Sequence, residues 1–229
     1  WMRDHNAAAS TSNPLLNFYG FDGPMEMMHT DSPHASVDLA LEALAKLDAA
    51  SADGLRVRIE PLIGDAAAWA NPQANMNASE SIGDSPAARA LHGEVERLIQ
   101  AARDAKHAPA DAADHLDAVH FAESAARLLD YHHAVATLPP ETRISGMLSL
   151  RDAIMGEHLN YIVKREALRG GRVLAFAHNS HLQKGMARWQ WGPNLIEWKP
   201  AGSHMAERLG DGYGAIATAA GAAPTFDIA

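Results

Sequence analysis

Cysteine is absent from the 229-residue chain, which excludes disulfide frameworks, thiol nucleophiles and Cys-ligated zinc in one step. Long apolar runs are absent too. None approaches the roughly 20 residues that span a bilayer, so no membrane partner is expected. Residues 1–6 show no signal-peptide features, and the chain begins on Trp1 rather than Met. A segment upstream of Trp1 is therefore expected, and a cytoplasmic location is favoured. Basic clusters are missing as well. The 28 acidic residues outnumber 19 basic ones for a formal charge of −9, which would repel a phosphate backbone, so nucleic acid is not an expected partner. No cofactor is expected.

What remains is an alanine-rich globular composition, 47% apolar and 21% charged, long enough for one sizeable core. Residues 15–22, an apolar and aromatic run closed by Gly23-Pro24, read as a buried strand with Asp22 at its end. Asp31-Ser32-Pro33 opens an amphipathic helix through Val37, Ala40, Leu41, Leu44 and Leu47. From Asp48 to Gly83 the pattern reads as mainly loop, with one short helix near Ala66 to Trp69. Helices are then expected from Asp84-Ser85-Pro86, over about 111–137, and over about 141–169, the last ending at Gly170-Gly171. Residues 172–177 read as a central strand, 183–200 as a lid-like loop with three tryptophans, about 203–209 as a helix and 213–219 as a last strand. This order predicts one α/β domain over 1–229, a sheet with flanking helices and a helical insertion at 31–140.

In an open α/β sheet, ligands bind beyond the C-terminal ends of the strands, where Asp22 and His178 would stand. Imidazole suits proton transfer near neutral pH, which makes His178 the leading candidate base among 13 histidines. His181 follows three residues later and reads as a pocket-lining group. With Asp22 the two histidines could instead hold a cation, although no His-Glu-x-x-His helix accompanies them. Ser180 fails as a nucleophile elbow, because His178 and Leu182 occupy the positions that need glycine. Arg151 and Asp152 lie mid-helix among Ile154, Met155, Leu159 and Ile162, so at least one of the two charges should point inward. A guanidinium there could clamp a carboxylate or steady an oxyanion. Trp189, Trp191 and Trp198 are either core anchors or an apolar wall for a bulky ligand.

Together these segments resemble the erythromycin esterase family, which includes proteins labelled succinoglycan biosynthesis hydrolases. The resemblance rests on Trp1-Met2-Arg3 with Asn6, Phe18-Tyr19-Gly20-Phe21-Asp22, Arg151-Asp152 with Met155, Ala177-His178-Asn179 with His181, and Leu209-Gly210 before Tyr213. These occur in family order over nearly the whole chain. The resemblance implies an erythromycin esterase-like α/β fold with a helical insertion. It also implies metal-independent hydrolysis of a small-molecule ester or macrolactone by histidine-activated water. By the same likeness His178 falls on the strand-end histidine and Arg151 on the active-site arginine. Asp22, Asn179, His181, Asp152, Trp189 and Trp191 become candidate substrate contacts. Gly156 and His158 depart from the Ala and Asn usual after the helix methionine. The family's Gly-Glu-x-x-His-Gly stretch is not found, so a non-catalytic binding module of the same fold is the competing expectation.

Overall fold

The computed structural model describes residues 1–10, 14–23, 25–26, 29–75 and 77–218. Helix α1 (Met2–Ala7) leads into the 15–22 run and a short antiparallel pair, β1 (Met25–Glu26) and β2 (His29–Thr30). A helical unit follows: α2 (His34–Ala45), α3 (Ala49–Ile63), α4 (Ala66–Trp69), α5 (Pro86–Asp104) and α6 (Ala112–Thr137). Helix α7 (Pro140–Ala167) runs back along α6 and leads to α8 (Asn179–Leu182), the hairpin β3 (Ala187–Trp191) and β4 (Asn194–Trp198), and α9 (Ala201–Leu209). The molecule is helix-rich and α/β in the broad sense. No helix among the described residues is long and apolar enough to cross a membrane.

The main core lies among α2, α3, α5 and α6, where Leu41, Leu44, Leu91, Val95 and Leu98 are essentially inaccessible. The expected loop at 48–83 is corrected by α3, a 15-residue helix. Its start is set by Asp48, whose carboxylate accepts from the Ser51 amide, and its buried stripe is Ala52, Leu55, Ile59 and Ile63. Gly54 and Pro61 masked that period in the sequence; Pro61 has no N–H to bond the Val57 carbonyl, and the helix ends two residues later at Ile63.

The expected lid at 183–200 is also corrected. It is mostly the β3–β4 hairpin, paired from Ala187 with Trp198 to Trp191 with Asn194. Its two-residue turn is Gly192-Pro193, and Gly192 supplies the positive φ of 56° that such a turn demands.

The expected strands at 15–22, 172–177 and 213–219 do not form a sheet. Over the described residues they are non-helical and unladdered, and Ala219 lies outside them. Ladder bonds require neighbours about 4.8 Å apart. Instead, 16–21 and 172–176 both line a cavity of about 320 Å³, and 171–176 and 212–218 both line another of about 710 Å³. The period of two survives: Ala175 packs towards α7 and α9, while Leu174 and Phe176 are 94% and 91% exposed. Two asparagines stand in for strand partners. Asn6 donates to the Leu16 carbonyl and accepts from its amide, both at 2.8 Å. Asn179 does the same at Thr218, at 2.6 and 3.3 Å. Asn17 and Tyr19 in turn donate to Glu166 on α7 at 2.9 and 2.7 Å. Burial pushes the Glu166 carboxyl up, but these bonds and that from Arg169 outweigh it and leave it lowered.

Between α6 and α7, His120 stacks on Tyr161 with centroids 3.7 Å apart and meets His158 edge-on at 5.2 Å. Burial, reinforced by His158, pulls His120 down to about 3; burial also lowers His158 and His132. These rings stay neutral when folded but take up protons near pH 6.5 when unfolded. Their contribution is thus fully present above pH 6.5 and is lost as pH falls towards the folded values, at up to about 1.4 kcal/mol per pH unit for each group. The melting temperature should be flat above pH 7 and fall steadily below 6.5. His120→Phe, which keeps the stack, should make that fall shallower; an unchanged slope in thermal melts from pH 7 to 4 would contradict this.

Candidate functional site

Residues 151 and 152 are about 100° apart around α7, so their side chains leave in different directions. Met147 and Ile154 mark the side packed on α6, whereas Met155 and Leu159 mark the side packed on α9. Arg151 belongs to the first side and Asp152 to the second. Both charges point inward.

Arg151 reaches the end of the 15–22 run, where Nε and Nη2 donate to the two carboxylate oxygens of Asp22 at 2.9 and 2.5 Å. The fork fits a carboxylate bidentately. The hydrogen bond donated to Asp22 raises the Arg151 pKa despite partial burial. Nη1 makes no hydrogen bond among the described residues, and Arg151 lines a cavity of about 490 Å³ with Tyr131 and Trp191. Burial pushes the Tyr131 hydroxyl up to about 12, so it is a donor at any working pH.

Asp152 is 0% exposed and acts only as an acceptor, as a carboxylate does. Oδ1 accepts from the Ala201 amide and from His181 Nδ1, both at 2.9 Å. Oδ2 accepts from Trp198 Nε1 at 2.6 Å and lies 3.1 Å from His181 Nδ1. Because the carboxylate takes the Nδ1–H, the His181 lone pair is on Nε2. The ring is thereby oriented with a basic nitrogen turned away from Asp152. Gly202 makes this junction possible: a Cβ there would lie 2.2 Å from the Leu182 carbonyl oxygen, so only glycine lets α9 approach the end of α8.

His178 occupies the opposite end of the same turn. It is exposed, caps α8 and contacts Ser180 through Nδ1, at 2.8 Å from the hydroxyl and 3.2 Å from the amide. Its Nε2 has no hydrogen bond among the described residues. Asn179 is occupied with Thr218. Trp189 and Trp191 stack 5.2 Å apart on the exposed side of the hairpin, whereas Trp198 is buried.

The structure therefore pairs Asp22 with Arg151 and Asp152 with His181. It does not gather Asp22, His178 and His181 around one point: among the described residues no three His, Asp or Glu side chains are placed to share a cation. The N–H groups of Trp198, expected only as a core anchor or an apolar wall, and of Ala201, not singled out, complete the Asp152 node. Nothing in their local sequence announces a partner 46 or more residues away. The two departures in the helix motif also find places, with Gly156 beside His204 of α9 and His158 Nδ1 3.2 Å from the Phe21 carbonyl.

The family model described as erythromycin esterase matches residues 1–225. No curated protein matches the chain, and no solved structure does.

Asp152→Ala would leave three N–H donors buried without an acceptor, a loss of about 3–5 kcal/mol. Gly202→Ala should separate α8 from α9 and lower stability by more than 1 kcal/mol. Urea denaturation checks both; wild-type midpoints would contradict the node's importance.

Proposed function

Because the chain belongs to the erythromycin esterase family, whose membership carries an esterase-like hydrolase function, we propose that it hydrolyses a carboxylic ester, a macrolactone or another acyl ester, at the turn that carries His178 and His181. The observation that supports this best is the buried Asp152 held against His181 Nδ1. A carboxylate on one imidazole nitrogen fixes the tautomer and steadies the imidazolium that forms when the other takes a proton.

In the proposed reaction His181 Nε2 removes a proton from water as its oxygen attacks the ester carbonyl carbon. The carbonyl π electrons move to oxygen, and the resulting oxyanion accepts from Arg151 Nη1, which the Asp22 clamp holds in place. Collapse breaks the bond to the alkoxy oxygen. The proton on His181 passes to that leaving group, giving a carboxylic acid that ionises and a free alcohol. His178, with an exposed ring and an unengaged Nε2, acts from the other end of the turn as a donor to the transition state. Water activation in this scheme uses side-chain groups alone.

The test is ester hydrolysis by the full chain. His181→Ala should lower kcat by about 10²–10⁴-fold, the usual range for loss of a general base. His178→Ala should cost less, and Asp152→Asn should reduce kcat with little change in KM. Turnover that survives His181→Ala unchanged would sink the assignment.

A further inference from the structure

The 490 Å³ cavity beside Arg151 has the size of a small-molecule pocket, and its lining has an unusual charge pattern. Leu138, Ile144, Met147 and Leu148 supply apolar walls, and Trp191 of the hairpin closes one side. Among the described residues, the charged ones on its surface are Arg143 and Arg151 and no Asp or Glu lines it, although the chain as a whole carries a net charge of −9. Arg151 is offset by Asp22. Arg143 is not. Its Nη2 donates to the Leu138 carbonyl at 2.9 Å, its Nη1 is buried with no hydrogen-bond partner, and no carboxylate lies within 4.0 Å of it among the described residues. A guanidinium has donors only and keeps its charge, so one on this lining with no carboxylate to offset it favours an anionic occupant, and a carboxylate is the organic anion that guanidinium groups match best.

We propose that this cavity binds an apolar carboxylate, with the chain along Ile144, Met147 and Leu148 and the head group on Arg143. A cationic amphiphile of the same shape would meet two guanidinium groups and no counter-charge, so the cavity selects against it. The binding rests on the cavity alone.

Calorimetry on the full chain with decanoate and decyltrimethylammonium tests the proposal without relying on turnover. Decanoate should bind at least about tenfold more tightly, the effect of one charge-assisted hydrogen bond. Arg143→Met should remove that preference, whereas Arg143→Lys should keep it in weakened form. Equal affinity of the two ligands for the wild type overturns the proposal, as does undiminished decanoate binding by folded Arg143→Met. Should Arg143→Met not fold, the wild-type ratio and the lysine variant decide. Selective decanoate binding without ester hydrolysis overturns the hydrolase reading and leaves the cavity assignment standing. Hydrolysis without the preference does the reverse.

Discussion

One buried carboxylate ties the hairpin, the His181 turn and α9 to α7. Asp152 has no contact with solvent and gathers N–H groups from α8, β4 and the first residue of α9. An ionisable side chain in such a place is costly unless every lone pair has a donor, and here each donor comes from a different segment. The hairpin, the His181 turn and α9 are therefore tied to one point on α7. The α9 amide is among those left without an intrahelical partner, and a negative charge at a helix N-terminus satisfies both its hydrogen bond and its dipole. Remove the carboxylate and three elements lose their common anchor.

Helix geometry turns that anchor into a site. Adjacent residues on α7 leave it about 100° apart, so Arg151 is drawn towards Asp22 and the cavity, while Asp152 is drawn towards His181. A candidate oxyanion donor and a candidate base are thus fixed to one rigid element, which limits their relative movement better than two loops would. Trp198 contributes twice, filling the space beneath the hairpin with Ala187 and Ile196 and donating to Asp152.

Much of the helical framework was legible in the sequence because capping residues and apolar period agree there. Ser85-Pro86 starts α5 and Pro139-Pro140 separates α6 from α7, as read. The reading failed where local signals conflict with packing. Gly54 and Pro61 hid α3, and three tryptophans made a regular hairpin look like a lid. The runs at 15–22 and 172–177 have strand composition, yet strand character depends on a neighbour at ladder distance, which composition cannot supply. The site was half legible. Its candidate residue types could be read from 151–152 and 178–181, and an inward charge from 151–152, but the pairings Asp22 with Arg151 and Asp152 with His181 span 129 and 29 residues and arise only from the fold.

Asp152 fixes the tautomer of His181 so that Nε2 is the basic nitrogen. Long-range ¹⁵N–¹H correlation spectra of the imidazole side chains, assigned with His181→Gln, report this directly. Neutral His181 should show a protonated Nδ1 and an unprotonated Nε2, with the Nδ1 proton shifted downfield by the carboxylate. A proton on Nε2 and a bare Nδ1 would contradict it.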